Sequence, residues 1–299
     1  HSALAASPEK KHIVTTAVEH SATITPCQEL EKQGYQVTYL GVDEQGQLNL
    51  TELEAALTDN TALATIIWAN NETGVVFPIK EIAKICEQKN VPLHVDGIQG
   101  VGKLPIELRN LPISYFTISS HKIHGPKGMG ALYIKRGTKF TPLLSGGGHE
   151  MNRRAGTINV AGIIGLGKAC ELAREHLPLV NAELRDRLEQ GLLSQIDGAA
   201  INGDKQNRLS NTLSISFEHI DSASLLLMLS EEFGICASAG SACQTGSVKP
   251  SHVLQAMRLP RWRQLGVVRL STSRYTSKEE VDDSIELITK TVMRMRGKT

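Results

Sequence analysis

The 299-residue chain has no excess of charge of either sign: 32 Lys+Arg stand against 31 Asp+Glu, a formal net charge of +1. That balance removes the usual electrostatic case for a nucleic-acid partner. There is no run of 18 apolar residues, so no segment reads as a membrane span. No basic stretch leads into an apolar core at the start, as a secretory signal would require. The five cysteines (Cys27, Cys86, Cys170, Cys236, Cys243) form no CxxC pair, so neither a zinc site nor any other metal site is expected. An odd number of cysteines in an unsecreted chain points to reduced thiols and a cytoplasmic setting. No GxGxxG follows an early strand and no GxxxxGK[ST] occurs, which leaves those two phosphate chemistries unsupported.

Composition is that of an ordinary globular protein, 40% apolar with 26 glycines, long enough for one large or two ordinary domains. Strand-like and helix-like segments alternate through the first half. Strands are expected at 12–16, 35–42, 62–69, 91–95, 115–119 and 130–134. A helix-length stretch ends at Gly34, Thr51 with Glu54 reads as a capping box, and Pro78 opens a helix over 79–89. This alternation predicts an α/β fold, a mainly parallel sheet wrapped by helices. After Gly146-Gly147-Gly148 the pattern changes to helices at about 160–175 and 180–193, a strand at 212–217, a helix at 223–232 and a strand at 267–271. A terminal helix follows behind the box Ser277/Glu280. The domain boundary is expected near residue 178, giving a large domain over 1–178 and a smaller C-terminal one over 179–299.

In an open parallel sheet, ligands bind beyond the carboxyl ends of the strands. His20 follows the first strand, Asn70-Asn71-Glu72 the third, Asp96 and Gln99 the fourth, and Ser119-Ser120-His121-Lys122 the fifth. Each residue alone has a plainer account. Asp96 before Gly97 suits a turn, His20 a helix start, Asn70 and Asn71 side-chain-to-backbone turns, and Lys122 solvent. Together they are the set pyridoxal phosphate needs: a lysine for the Schiff base and a strand-end aspartate that keeps the ring nitrogen protonated. An imidazole can stack on the ring, and Ser119 can donate to the phosphate.

Four of the cysteines have apolar neighbours and read as core residues. Cys243, in Gly240-Ser241-Ala242-Cys243-Gln244-Thr245-Gly246, has small polar neighbours and reads as an exposed thiol. Arg269, inside the strand 267–271, either faces a carboxylate ligand or points outward from an edge strand. Gly146–His149 and Arg153-Arg154-Ala155-Gly156-Thr157 carry a weaker phosphate-loop signal.

The motifs Val18-Glu19-His20, Asn70-Asn71-Glu72-Thr73-Gly74, His94-Val95-Asp96, Ser120-His121-Lys122-Ile123-His124-Gly125-Pro126-Lys127-Gly128 and Gly240-Ser241-Ala242-Cys243 occur in that order. In them, over nearly its whole length, the chain resembles the pyridoxal-phosphate cysteine desulfurases of iron–sulfur cluster assembly, the branch related to nitrogen-fixation proteins within the class V aminotransferases. The resemblance implies fold type I, with a mainly parallel seven-stranded sheet in the large domain and a smaller C-terminal α/β domain. It implies Lys122 as the cofactor lysine, Asp96 at the ring nitrogen, Gln99 at the phenolic oxygen and His20 stacked on the ring. Asn71 would lie at the cofactor or substrate carboxylate, and Ser119 and His121 at the phosphate. Thr157 would reach the phosphate of a neighbouring subunit, hence a homodimer. Arg269 would clamp the substrate carboxylate, and Cys243 would be the catalytic cysteine. Family members begin earlier than His1, so an N-terminal stretch is expected ahead of it; a truncated form is the alternative.

The activity so implied converts L-cysteine to L-alanine and passes sulfur through a Cys243 persulfide to an iron–sulfur scaffold or another acceptor protein. The alternatives are a different pyridoxal-phosphate enzyme (an aminotransferase, a β-lyase or a selenocysteine lyase) and an inactive, truncated paralogue. The first needs Lys122 and Asp96 but not Cys243.

Overall fold

A computed structural model describes residues 1–177, 181–239 and 250–297. The chain divides into two compact units, which are described separately. The first gathers His1–Gly41, Leu48–Ala69 and the residues from Phe77 to the end of the long helix before residue 178; the second gathers Val42–Gln47, Asn70–Val76 and the C-terminal part.

The first unit is a six-stranded sheet built from β1 (His12–Thr16), β2 (Gln36–Leu40), β3 (Thr61–Ile67), β4 (Leu93–Asp96), β5 (Tyr115–Ser119) and β6 (Gly130–Ile134). Its order is β2-β1-β3-β4-β5-β6, parallel except for the antiparallel β5–β6 pair. The sequence contains six segments with strand character in this unit, and all six pair here. The seventh strand implied by the resemblance has no counterpart among the described residues. Its helices are α1 (Ser2–Ala6), α2 (Ser21–Lys32), α3 (Leu50–Ala56), α4 (Ile79–Gln88), the short turn α5 (His149–Asn152) and α6 (Val160–His176). β1 is buried along its whole length, as a strand covered on both faces must be. Helix α4 buries Ile79, Ile82, Ala83 and Cys86, a 3-4-7 stripe facing inward.

Helix α3 is capped differently from the sequence expectation. Asn49 Oδ1 accepts from the backbone N–H groups of Thr51 and Glu52, so the helix starts ahead of Thr51 and the Thr51/Glu54 box does not form. Asparagine has the short side-chain acceptor an N-cap requires, and it outcompetes a threonine two residues further on.

The second unit has a three-stranded sheet, β7 (Ala199–Ile201), β8 (Thr212–Phe217) and β9 (Val267–Ser271), with α7 (Glu183–Gln195), α8 (Ser222–Phe233), α9 (His252–Ala256), α10 (Arg261–Leu265) and α11 (Lys278–Met295). Its core joins Leu188 and Leu192 of α7, Leu213, Ile215 and Phe217 of β8, Leu225 and Leu229 of α8, and Val281, Ile285, Ile288 and Val292 of α11. The Ser277/Glu280 capping box does form and fixes the start of α11. Helix α7 begins at Glu183 instead of 180; residue 180 lies outside the described residues.

Two of the four cysteines expected in the core are there, Cys27 and Cys86, whereas Cys170 is half-buried and Cys236 is exposed. Cys236 lies just past α8, after its left-handed C-cap Gly234, in a stretch where Ile235 and Ala237 on either side pack against the core and Cys236 between them stays exposed.

Candidate active site

Because β1, β3, β4 and β5 are parallel, their carboxyl ends share one edge of the sheet. His20 lies four residues past β1, Asp96 ends β4, and Ser119 ends β5. Lys122 stands in a one-turn 3₁₀ helix, Ser120–Ile123, directly after β5. The fold therefore brings His20, Asp96, Gln99, Ser119, His121 and Lys122 to a single edge.

Each position has a local cause. His20 is the N-cap of α2: its Nδ1 accepts from the Ala22 N–H at 3.1 Å. The helix-start account of His20 is thus correct for one ring nitrogen, and it fixes the ring's orientation. Asp96 is buried, and its Oδ1 accepts from the Ile98 N–H at 3.0 Å, an Asx turn. Burial raises the Asp96 pKa; the Ile98 N–H and the nearby His20 pull it back. Gly97 has no room for a side chain, because a Cβ would sit 1.9 Å from Phe116 Cζ. Phe116 is held in turn edge-on against Trp68, with ring centroids 5.9 Å apart.

The lysine turn has a firm base. Ile123 is buried against Leu166 and Ala169 of α6. The Ser120 N–H donates to the Met129 carbonyl, and the Gly125 N–H returns to the Ser120 carbonyl. Gly125 must lack a Cβ, which would lie 2.2 Å from Ser120 Oγ. Lys122 itself is exposed, on the 3₁₀ turn that these contacts anchor. Ser119 Oγ and His121 Nδ1 are 2.9 Å apart, so the two residues expected at a phosphate form one polar pair. Thr157 is exposed in the loop before α6, after Gly156 with its φ of +105°.

Asn71 and Arg269 belong to the second unit, where they meet: Arg269 Nη1 donates to the Asn71 carbonyl. The two asparagines behave differently. Asn70 makes the turn, its Oδ1 accepting from the N–H groups of Glu72 and Thr73, both at 2.9 Å. The Asn71 side chain does not, and its Oδ1 is buried with no partner among the described residues. A buried acceptor in that state costs roughly 1–3 kcal/mol, the usual mark of a group kept for something else. Glu72 accepts from Ser251 Oγ, which also caps α9 and so ties the asparagine turn down. Arg269 is half-buried on β9, between the inward and outward alternatives left by its pattern. Cys243 and its loop lie outside the described residues.

Two residues at the sheet edge escaped sequence analysis as individuals. Glu19 is fully buried: its Oε1 accepts from Thr16 Oγ1 and from the Ile67 N–H, both at 2.8 Å, tying the ends of β1 and β3 together beside His20. Burial, with a smaller push from Asp96, lifts its pKa to about 8. His94 bridges three strands through Thr65 Oγ1 at 2.8 Å and Thr117 Oγ1 at 2.6 Å. Burial lowers its pKa to about 4, so it is a neutral clamp two residues before Asp96. A lone Glu and a lone strand His read as surface residues; only their place in the quoted motifs could have flagged them.

The donor set suits pyridoxal phosphate. A buried carboxyl whose charge is disfavoured by burial fits a cationic ring N–H, and a hydroxyl–imidazole pair beside an open lysine fits a phosphate and an aldehyde carbon.

Comparisons with known proteins agree with the geometry. The aminotransferase class-V family model matches residues 1–283. Cysteine desulfurase 2 of Trichormus variabilis is 55% identical over 297 residues, covering 99% of this chain and 74% of the relative. Cysteine desulfurase NifS of Azotobacter vinelandii is 47% identical over 299 residues, with 99% and 74% coverage. A solved NifS-like protein superposes with a TM-score of 0.90 at 36% identity, covering 98% of this chain and 78% of that one. Sheet edge, polar set and relatives converge: the chain belongs to the aminotransferase class-V family and, within it, to the NifS-type cysteine desulfurases.

Proposed function

We propose that this chain converts L-cysteine to L-alanine with pyridoxal phosphate as cofactor, passing the sulfur through Cys243 to an acceptor protein such as an iron–sulfur scaffold. The observation that carries this is the gathering of Asp96, Gln99, His20, Ser119, His121 and Lys122 at one sheet edge, with Asp96 buried there. When bound, the cofactor supplies a carbon for the Schiff base and a protonated ring that stores the electron pair released at the substrate's α-carbon.

The chain's own residues do the rest. Lys122 holds the cofactor and, once displaced by the substrate amine, takes the α-proton as general base. Lys122 is exposed on its turn, where its long side chain can serve both tasks. Asp96 keeps the proton on the ring nitrogen, and a cationic partner there restores the charge that burial disfavours. His20, with its ring set by the α2 cap, stacks on the cofactor; Ser119 and His121 donate to the phosphate. Arg269 and the Asn71 side-chain N–H groups donate to the substrate carboxylate. Cys243 as thiolate attacks the substrate sulfur, so cysteine and the Cys243 thiol become alanine and a Cys243 persulfide.

Assembly as a homodimer has support in the first unit. Close to Thr157 in the chain, Leu143, Leu144, Met151, Ile158, Val160 and Ile164 are exposed, more large apolar side chains than a segment of this length ordinarily leaves to water. A second copy covering these side chains would bring a partner surface to Thr157. The free thiols of Cys27, Cys86, Cys170 and Cys236 fit a reducing, cytoplasmic setting.

The test is peptide mass spectrometry after incubation with pyridoxal phosphate and L-cysteine, with alanine assayed in parallel. Added sulfur on Cys243 together with alanine is the expected result. Alanine without the added sulfur would point to a lyase that does not use Cys243, and neither product would overturn the proposal.

A further inference from the structure

Lys103 has no place in the site as described so far, yet it touches it. Past Asp96 the chain winds through consecutive turns: Gly100 and Val101 donate to the Gly97 carbonyl, and Lys103 and Leu104 to that of Gly100. Gly102, at a φ of +74°, permits the bend. This winding sets Gln99 and Lys103 one turn apart on the same side, both half-buried, and Lys103 Nζ donates to Gln99 Oε1 at 2.9 Å.

The chemistry of that contact is directional. An ammonium has three donors and no acceptor, so the amide atom facing it is the oxygen. An amide held by its oxygen offers its other end, the NH2, to whatever lies opposite, and only an acceptor is welcome there. A free glutamine at the same place would offer either end.

We propose that Lys103 is a positioning residue that locks the Gln99 amide so that it presents a donor to an anionic oxygen of the cofactor ring. This rests on the proposed cofactor and on Gln99 as its phenolic-oxygen contact. The donor stabilises a negative oxygen, favouring loss of the proton shared between that oxygen and the Schiff-base nitrogen. Without the lock the amide can turn its own oxygen toward the anion, so that stabilisation is lost.

The experiment is a pH titration of the visible band of the cofactor-loaded protein, with cofactor affinity measured alongside, for the parent, Gln99→Ala, Lys103→Met and Lys103→Arg. Asp96, His20, Glu19, His121 and Lys122, the titratable groups at the same strand ends, are unchanged throughout. Lys103→Met is expected to raise the midpoint toward that of Gln99→Ala and to weaken cofactor binding about tenfold, the scale of one hydrogen bond to a charged group. Lys103→Arg, again a donor without an acceptor, is expected to restore both. A Lys103→Met midpoint equal to the parent's, while that of Gln99→Ala moves, overturns the role of Lys103 alone. A Gln99→Ala midpoint that does not move overturns the Gln99 contact, and a parent without a visible band overturns the cofactor itself. If Lys103→Met fails to fold, Lys103→Gln decides: its amide carries an acceptor as well as donors, so it no longer dictates which end of the Gln99 amide faces away. A raised midpoint supports the lock, and an unchanged one refutes it.

Discussion

Replacing Gly97 by alanine tests whether the strand-end loop is held by shape alone. A Cβ there would lie 1.9 Å from Phe116 Cζ and 2.4 and 2.6 Å from the Cε atoms, far inside contact distance. The ring cannot swing aside as a flexible side chain would, because Phe116 is 2% exposed and packs edge-on against Trp68. The backbone at Gly97 must move instead, against its N–H bond to the Thr117 carbonyl. Overpacking of this kind costs about 1–3 kcal/mol, which at about 2–4 °C per kcal/mol lowers the melting temperature by roughly 2–12 °C. Asp96 and Gln99 flank the shifted peptide, so cofactor loading weakens as well. Calorimetry on the cofactor-free protein and titration with pyridoxal phosphate measure the two effects. Phe116→Ala, costing about 3–5 kcal/mol by itself, should be less than additive with Gly97→Ala, because the truncated ring vacates the space. A melting temperature within about 1 °C of the parent's, or full additivity in the double variant, would refute the reasoning.

Glu19→Gln is expected to flatten one component of the pH–stability profile. Burial raises Glu19 from 4.5 to about 8 in the folded chain, so its favourable contribution is complete below the ordinary value and is lost as pH rises through about 8. Urea denaturation should show the variant gaining on the parent across that window, and parallel curves would contradict it. His94→Leu strands the hydroxyls of Thr65 and Thr117 between strands and should cost about 2 kcal/mol or more in the same assay; an unchanged midpoint would deny the clamp. Arg269→Gln should leave cofactor loading intact and raise the KM for L-cysteine by about tenfold. A loss of loading with an unchanged KM would remove Arg269 from the substrate carboxylate.

The periodic signals in the sequence were enough for the parallel sheet, for helix α4 behind Pro78 and for the capping box of α11. Each rests on neighbours a few residues apart: a buried strand's apolar run, a 3-4-7 stripe, a serine three residues before a glutamate. The strand-end rule then pointed to His20, Asp96, Gln99, Ser119, His121 and Lys122 from chain order alone, because parallel strands must place their carboxyl ends on one edge.

Other features depend on what packs across the fold, which no local window contains. Asn70 and Asn71 are identical in sequence terms, but only the first closes the turn, while the second keeps a buried oxygen without a partner among the described residues. Glu19 reads as a surface carboxylate until the Ile67 N–H arrives from β3, 48 residues away. His94 reads as a strand polar residue until threonines from both neighbouring strands close on it. Cys236 shares its apolar neighbours with the buried cysteines, yet its place beyond the C-cap of α8 leaves it exposed. Local pattern determined which residues reach the sheet edge. Desolvation and hydrogen bonding between distant segments decided which of them are charged, clamped or left with an open valence.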